Sequence, residues 1–175
     1  LLTSGENPYD LDQEWFVRES PDVILTQDLC HVCEVEIYPD DGSIRIIRYF
    51  AVDAVGTVKN PLLFKVQIHG GIARCVGQIL MEDIVWDPES AQQLSGSFID
   101  YCMPRASDFP LFGVLSNPIP TALNPLGIKG AGEAGTVGAM PCLMNAIVDA
   151  LGQRGVYHLD MPATPARVWH ALQNA

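Results

Sequence analysis

Glu133 is the one charged side chain within Gly130-Ala131-Gly132-Glu133-Ala134-Gly135, a bend otherwise built of glycine and alanine. Its surroundings, "GIKGAGEAGTVGAMP" (residues 127–141), permit two chemistries. The six residues spell G-x-G-x-x-G, so the glycines could bring the backbone close to a dinucleotide pyrophosphate. Alternatively the loop is bare in order to aim a single carboxylate. A dinucleotide fingerprint needs a buried strand running into its first glycine, yet "TALNPLGIK" carries Pro125 and Gly127 and few strand formers. Asp149 has about the spacing of the ribose-binding acid, but it falls inside a run that reads as helix. The carboxylate reading has a physical logic of its own. A helix N-terminus shortly downstream favours an anion nearby. A carboxylate in a confined pocket has its pKa raised by desolvation, which suits it to accept a proton near neutral pH. A surface turn with an incidental glutamate is the competing explanation.

Gln67, Gly70 and Gly71 form the second group. In "VQIHGGIARCVGQIL" three- and four-residue spacing places Gln67, Gly70, Gly71, Arg74 and Gln78 on one helical face. Each glycine inside a helix costs ~1 kcal/mol relative to alanine. The pair therefore marks either a close approach by some group or a packing notch on a solvated face. Cys30 and Cys33 spell C-x-x-C, but no second pair completes a zinc site. On a strand they would stand ~10 Å apart on opposite faces. No metal is expected to be held by protein side chains.

The elements that must position these groups are legible in outline. From His31, "HVCEVEIY" alternates apolar and acidic residues, "PDDGS" supplies a turn, and "IRIIRYFAVDAVG" returns as a second strand. Asn60-Pro61 offers a cap and a first-turn proline for a helix whose core stripe is Ile72, Val76, Ile79 and Leu80. "IVWDPESAQQLSGSFIDY" reads as a second, looser hairpin, and a strand is expected near Leu111–Leu115. Pro141 suits the first turn of another helix that stops at Gly152. Thr164-Pro165 opens a last short helix. Hairpins with separated helices predict an α+β fold. Residues 1–30 read as an irregular peripheral segment and residues 31–175 as the folded body.

Composition narrows the partners. Ten basic residues against 21 acidic give a net charge of −11, which repels phosphate backbones and disfavours nucleic acid. No apolar run approaches the ~18 residues that span a membrane. The first residues lack the basic and apolar regions of a signal peptide, and the five cysteines are odd in number and scattered. Both features predict a cytoplasmic chain of reduced thiols.

The segments taken in order carry more than any one motif. "HVCEVEIYPDDGSIRIIRYFAVDAVGTVKNP", "VQIHGGIARCVGQIL", "GSFIDYCMPRASDFP", "NPLGIKGAGEAGTVGAMPCLMNAIVDAL" and "MPATPARVWHAL" resemble the C-terminal end of molybdenum hydroxylase large subunits. This is the xanthine dehydrogenase and aldehyde oxidoreductase family, and the aerobic carbon monoxide dehydrogenase type is the most similar. The resemblance implies the C-terminal part of a molybdopterin-binding domain, with a molybdenum–molybdopterin cofactor, in bacterial members usually the cytosine dinucleotide form. It implies oxidative hydroxylation of a small-molecule substrate with water-derived oxygen. It also implies partners: the remaining part of the large subunit, an iron–sulfur subunit and an FAD subunit. The family's K-G-x-G-E loop matches Lys129, Gly130, Ala131, Gly132 and Glu133, so the resemblance assigns Glu133 as the catalytic base. Its glutamine-containing helix, Q-x-x-G-G-x, matches Gln67, Gly70 and Gly71, which assigns these residues to the cofactor. Arg74 and Cys75 depart from the family's usual glutamine and glycine. Arg74 would set a bulky cation on the cofactor face, either clashing with the pterin or pairing with an anionic group. Two alternatives stand beside this reading: a noncatalytic assembly module or remnant of the same family, and an unrelated dinucleotide-binding domain.

Overall fold

The computed structural model describes residues 27–175, so most of the segment read as irregular lies outside it. Strand β1 (Asp28–Ile37) begins three residues before His31, which brings Asp28, Leu29 and Cys30 into the sheet. It pairs antiparallel with β2 (Ile44–Ala54), as the alternating pattern predicts. Leu29, His31, Cys33, Val35 and Ile37 turn inward, while Cys30, Val32, Glu34 and Glu36 face out. Gly42 closes the connecting turn at φ 73°, where only glycine is unstrained. β3 (Phe112–Ser116) adds to β2 in parallel, giving the order β1-β2-β3.

Three α-helices, α1 (Pro61–Leu80), α2 (Ala134–Gly152) and α3 (Pro165–Gln173), and a 3-10 turn at Ala106–Asp108 complete the described chain. The Asn60 side chain accepts from Leu62 N at 3.0 Å and Leu63 N at 3.1 Å, which satisfies two orphan donors at the start of α1. Ile72, Val76, Ile79 and Leu80 are all buried, as their spacing predicts. α1 and α2 lie on the inner face of the sheet around a core of Tyr49, Ile68, Ile72, Leu143, Ile147 and Leu151. The fold is α+β: a small mixed sheet with α1 and α2 packed on one side.

Glycines set how closely α1 and α2 cross. A Cβ on Gly71 would stand 2.7 Å from Thr136 N and 2.9 Å from Gly135 C, and one on Gly135 would stand 2.5 Å from Ile68 O. Backbone cannot yield as a side-chain tip can, so both positions exclude any larger residue. Gly70 has open space where its Cβ would be. The pair that looks equivalent in sequence therefore splits: Gly71 is buried in the helix crossing and Gly70 is exposed. We expect Gly71→Ala to cost the chain about 3 kcal/mol in denaturant unfolding through overpacking. Gly70→Ala should instead gain up to ~1 kcal/mol from helix propensity. Equal effects from the two substitutions would contradict this packing.

The loose hairpin expected over 84–101 is present in short form: one antiparallel bridge, Trp86 to Gln93, around a turn in which Asp87 Oδ1 accepts from Glu89 N and Ser90 N. Trp86, Phe98 and Ile99 stay exposed, so no buried face rewards a longer ladder. One expectation, the start of α2, is corrected. Pro141 does not open α2; it sits inside the helix, which starts seven residues earlier at Ala134. Pro141 lies on the exposed side in line with Val137, where the carbonyl deprived of a partner can be solvated. The glycine-containing first turns are poor helix formers alone and are stabilised by the close crossing with α1. By length and composition α2 would suffice to cross a membrane, but its inward residues, from Ala134 to Leu151, pack in the core.

Candidate functional site

The bend holding Glu133 is anchored at both ends. Lys129 N donates to Val55 O at 3.0 Å and Thr57 N donates to Gly127 O at 2.8 Å, so the loop runs against the chain just beyond β2. Gly56 and Gly127 permit this approach at φ 73° and 63°. Asn124 closes the segment from the other side: its amide donates to Ile128 O at 2.9 Å and accepts from Ile128 N at 3.1 Å. Asn124, Gly56 and Gly127 are site-building residues that the motif reading passes over. The turn-forming Asn124-Pro125 pair is the signal that could have found the first.

Beyond Lys129 the chain swings over α1. Gln67 Nε2 donates to Gly132 O at 2.8 Å, which joins the two predicted groups across 65 residues. α2 then starts with Glu133 as its N-cap at φ −106°, ψ −4°. The carboxylate makes no capping hydrogen bond, so it is not committed to the helix it precedes. Lys129 is largely covered, with Nζ 3.7 Å from Asp28 Oδ2. Between the loop and α1 lies a concavity of about 360 Å³ lined by Val55, Phe64, Gln67, Lys129, Ala131 and Gly132.

Glu133 itself is exposed. The confined pocket expected around it is not built by this chain alone, because no described element covers the carboxylate. Cβ atoms on Gly70, Gly130 and Gly132 would meet nothing within 4 Å. None of the three has a positive φ. Neither backbone conformation nor packing within the chain requires glycine at these positions. Bare backbone that nothing in the chain needs is what a bulky group held from outside would require. The residues present therefore fit a large cofactor lying against Gln67, Gly70 and the loop, whereas Gly71 faces α2. Among the described residues, no group of three or more His, Cys, Asp and Glu is placed to hold a metal ion directly.

The two departures from the resembled pattern have local explanations. Cys75 is buried and its thiol donates to Thr136 O at 3.1 Å, so it belongs to the crossing with α2. Arg74 donates to Glu82 Oε2 at 3.0 Å, and the Tyr101 hydroxyl donates to the same oxygen at 2.7 Å. The cation thus pairs with a carboxylate of its own chain.

The loop has no dinucleotide-binding context among the described residues, since only a single bridge, Gly56 to Ile128, precedes its glycines. Comparison with known families gives a match to the molybdopterin cofactor-binding domain over residues 9–110. The carbon monoxide dehydrogenase large chain of Hydrogenophaga pseudoflava is 34% identical over 143 residues, covering 82% of this chain and 18% of that protein. The nicotine 6-hydroxylase large subunit of Paenarthrobacter nicotinovorans is 33% identical over 82% of this chain and 17% of its own length. Among solved structures, the Cu,Mo-CO dehydrogenase in its carbon monoxide reduced state superposes with a TM-score of 0.80 at 30% identity, covering 85% of this chain and 18% of that one. Quinoline 2-oxidoreductase from Pseudomonas putida 86 gives 0.76 at 34% identity, over 79% of this chain and 18% of its own. The chain spans under a fifth of the length of these relatives.

Proposed function

Because the chain belongs to the molybdopterin cofactor-binding domain family, we propose that it forms one wall of a molybdenum–pterin site in a molybdenum hydroxylase large subunit. The remaining part of that subunit supplies the other wall. When bound, the molybdenum–pterin group, in its cytosine dinucleotide form, supplies the two-electron redox chemistry. The residues of this chain bind, orient and move a proton. Gly70, Gly130 and Gly132 offer backbone close to the cofactor, with Ala131 and Lys129 lining the same concavity. Gln67 ties the loop to α1, and Glu133 accepts a proton from the water-derived oxygen that enters a small-molecule substrate. Enclosure by the complementing chain completes the desolvation that a proton acceptor near neutral pH needs. Electrons leave to iron–sulfur and FAD subunits. A reducing, cytoplasmic setting suits the odd number and scattered placing of the cysteines.

One observation carries this reading: the Gln67 amide grips the loop at Gly132, directly before an uncommitted carboxylate. Leu63 lines the concavity, and Leu62 and Val66 on α1, Leu126 before the loop and Val137 in the first turn of α2 are exposed in this chain. Exposed apolar surface is suited to a covering partner. The same openness favours a second reading, an assembly module of the family without catalysis of its own. Molybdenum analysis after purification with and without the complementing chain separates the two, since the catalytic reading requires stoichiometric metal in the complex. In that complex Gly132→Val should lower molybdenum and pterin content at least tenfold while the unfolding midpoint stays within error. Full loading of the variant would remove the loop from the cofactor site.

A further inference from the structure

Cys33 on β1 and Cys142 on α2 face each other across the sheet–helix contact, away from the Glu133 loop. β1 advances about 6.7 Å for two residues and α2 about 6 Å for one turn, so inward residues of the two elements meet in step. His31 lies against Gly138, where a Cβ would stand 2.6 Å from His31 Nε2, and the next step along both elements brings Cys33 to Cys142. The Cys33 thiol donates to Cys142 O at 3.5 Å. Both residues are half-buried.

From this juxtaposition we propose that Cys33 and Cys142 are a peroxide-reactive thiol pair that forms a reversible disulfide clasping β1 to α2. Nothing in the proposed molybdenum chemistry uses either residue. Cys142 is the attacking sulfur. Its pKa is drawn down to about 7, first by interaction with the neighbouring Cys33 side chain, against the opposing effect of partial burial, then by the Tyr49 hydroxyl and nearby His31. The Cys33 thiol is held well above its ordinary value by interaction with the Cys142 side chain and by burial, so it keeps its proton until Cys142 reacts. The charged and titratable neighbours are His31 beside the pair on β1, Tyr49 on β2, Cys75 of α1 near Tyr49, and Asp53 behind His31.

The chemistry balances with hydrogen peroxide as oxidant. The Cys142 thiolate attacks one peroxide oxygen, an S–O bond forms, the O–O bond breaks, and hydroxide leaves to take up a proton as water. Loss of negative charge on Cys142 removes the main influence that holds the Cys33 proton. The Cys33 sulfur then attacks the sulfenic sulfur, the S–S bond forms, and the S–O bond breaks with departure of a second water that carries the Cys33 proton. Two thiols lose two electrons and peroxide gains them.

The assembled complex, reduced and then cleared of reductant, is titrated with hydrogen peroxide, quenched with N-ethylmaleimide and digested without reduction for mass spectrometry. The expected product is a peptide pair joined through Cys33 and Cys142 and separated again by dithiothreitol, with Cys30 and Cys102 still labelled. Alkylation of Cys142 by iodoacetamide should rise with a midpoint near pH 7. In Cys33→Ser, peroxide should leave a dimedone-reactive sulfenic acid at Cys142. Wild-type oxidation that carries Cys142 to sulfinic acid without a bond to Cys33, or that joins either residue to another cysteine, overturns the proposal. So does alkylation of Cys142 at the rate and pH dependence of Cys102. The wild-type mapping decides the matter even where the serine variant fails to accumulate.

Discussion

Glu133→Gln in the assembled enzyme should lower turnover by about 10²–10⁴-fold while leaving molybdenum content unchanged. The substitution keeps the shape of the side chain and removes only its capacity to hold a proton. Its structural consequences should be slight, because the carboxylate is exposed, makes no capping bond to α2, and leaves the Gln67 to Gly132 hydrogen bond untouched. Loss of metal would indicate that Glu133 helps to retain the cofactor. Near-normal turnover would remove it as the proton acceptor. Steady-state kinetics together with metal analysis of one preparation distinguishes these outcomes, and unchanged substrate affinity with reduced kcat would locate the loss in the chemical step.

The second large effect concerns stability. Asp53 is fully buried on β2, and its Oδ1 lies 3.0 Å from His31 Nε2, a ring whose Nδ1 stands 2.8 Å from the Tyr49 hydroxyl. Oδ1 accepts this bond, with Nε2 as the donor. The other oxygen, Oδ2, has no partner among the described residues. His31→Ala therefore strands a buried carboxylate whose remaining partner is gone, a class of change that costs about 3–5 kcal/mol. It also opens a void beneath Gly138, the glycine whose missing Cβ makes room for the ring. Urea unfolding of the chain should show the loss. Asp53→Asn, which can still accept from Nε2–H, should cost less than half as much. A loss below 1 kcal/mol for His31→Ala would mean that this network does not hold β1 to β2.

The sequence pattern and the structure agree where the deciding forces are local. The β1–β2 hairpin follows from period-two alternation around a glycine-containing turn, and Asn60-Pro61 and Thr164-Pro165 mark the starts of α1 and α3. They part where a local rule met a longer-range one. Proline at 141 is a reasonable first-turn signal, yet α2 extends back to Ala134 because the crossing with α1 stabilises a glycine-rich start. The run 84–101 keeps its turn and a single bridge, and goes no further because Trp86, Phe98 and Ile99 stay exposed.

By itself the sequence determined the α+β class, the hairpin, the core stripe of α1 and the resemblance that drew attention to Gln67 and Glu133. These are encoded in spacing along one segment, which periodicity and capping chemistry record directly. Tertiary structure alone decided which of two adjacent glycines serves packing and which stays open. It also decided that Arg74 turns to Glu82, that Cys33 faces Cys142, and that the Gln67 amide reaches Gly132. Each depends on the rotation and close approach of elements far apart in the chain. A helix turns its face by about 100° per residue, so a single position separates a contact from open space.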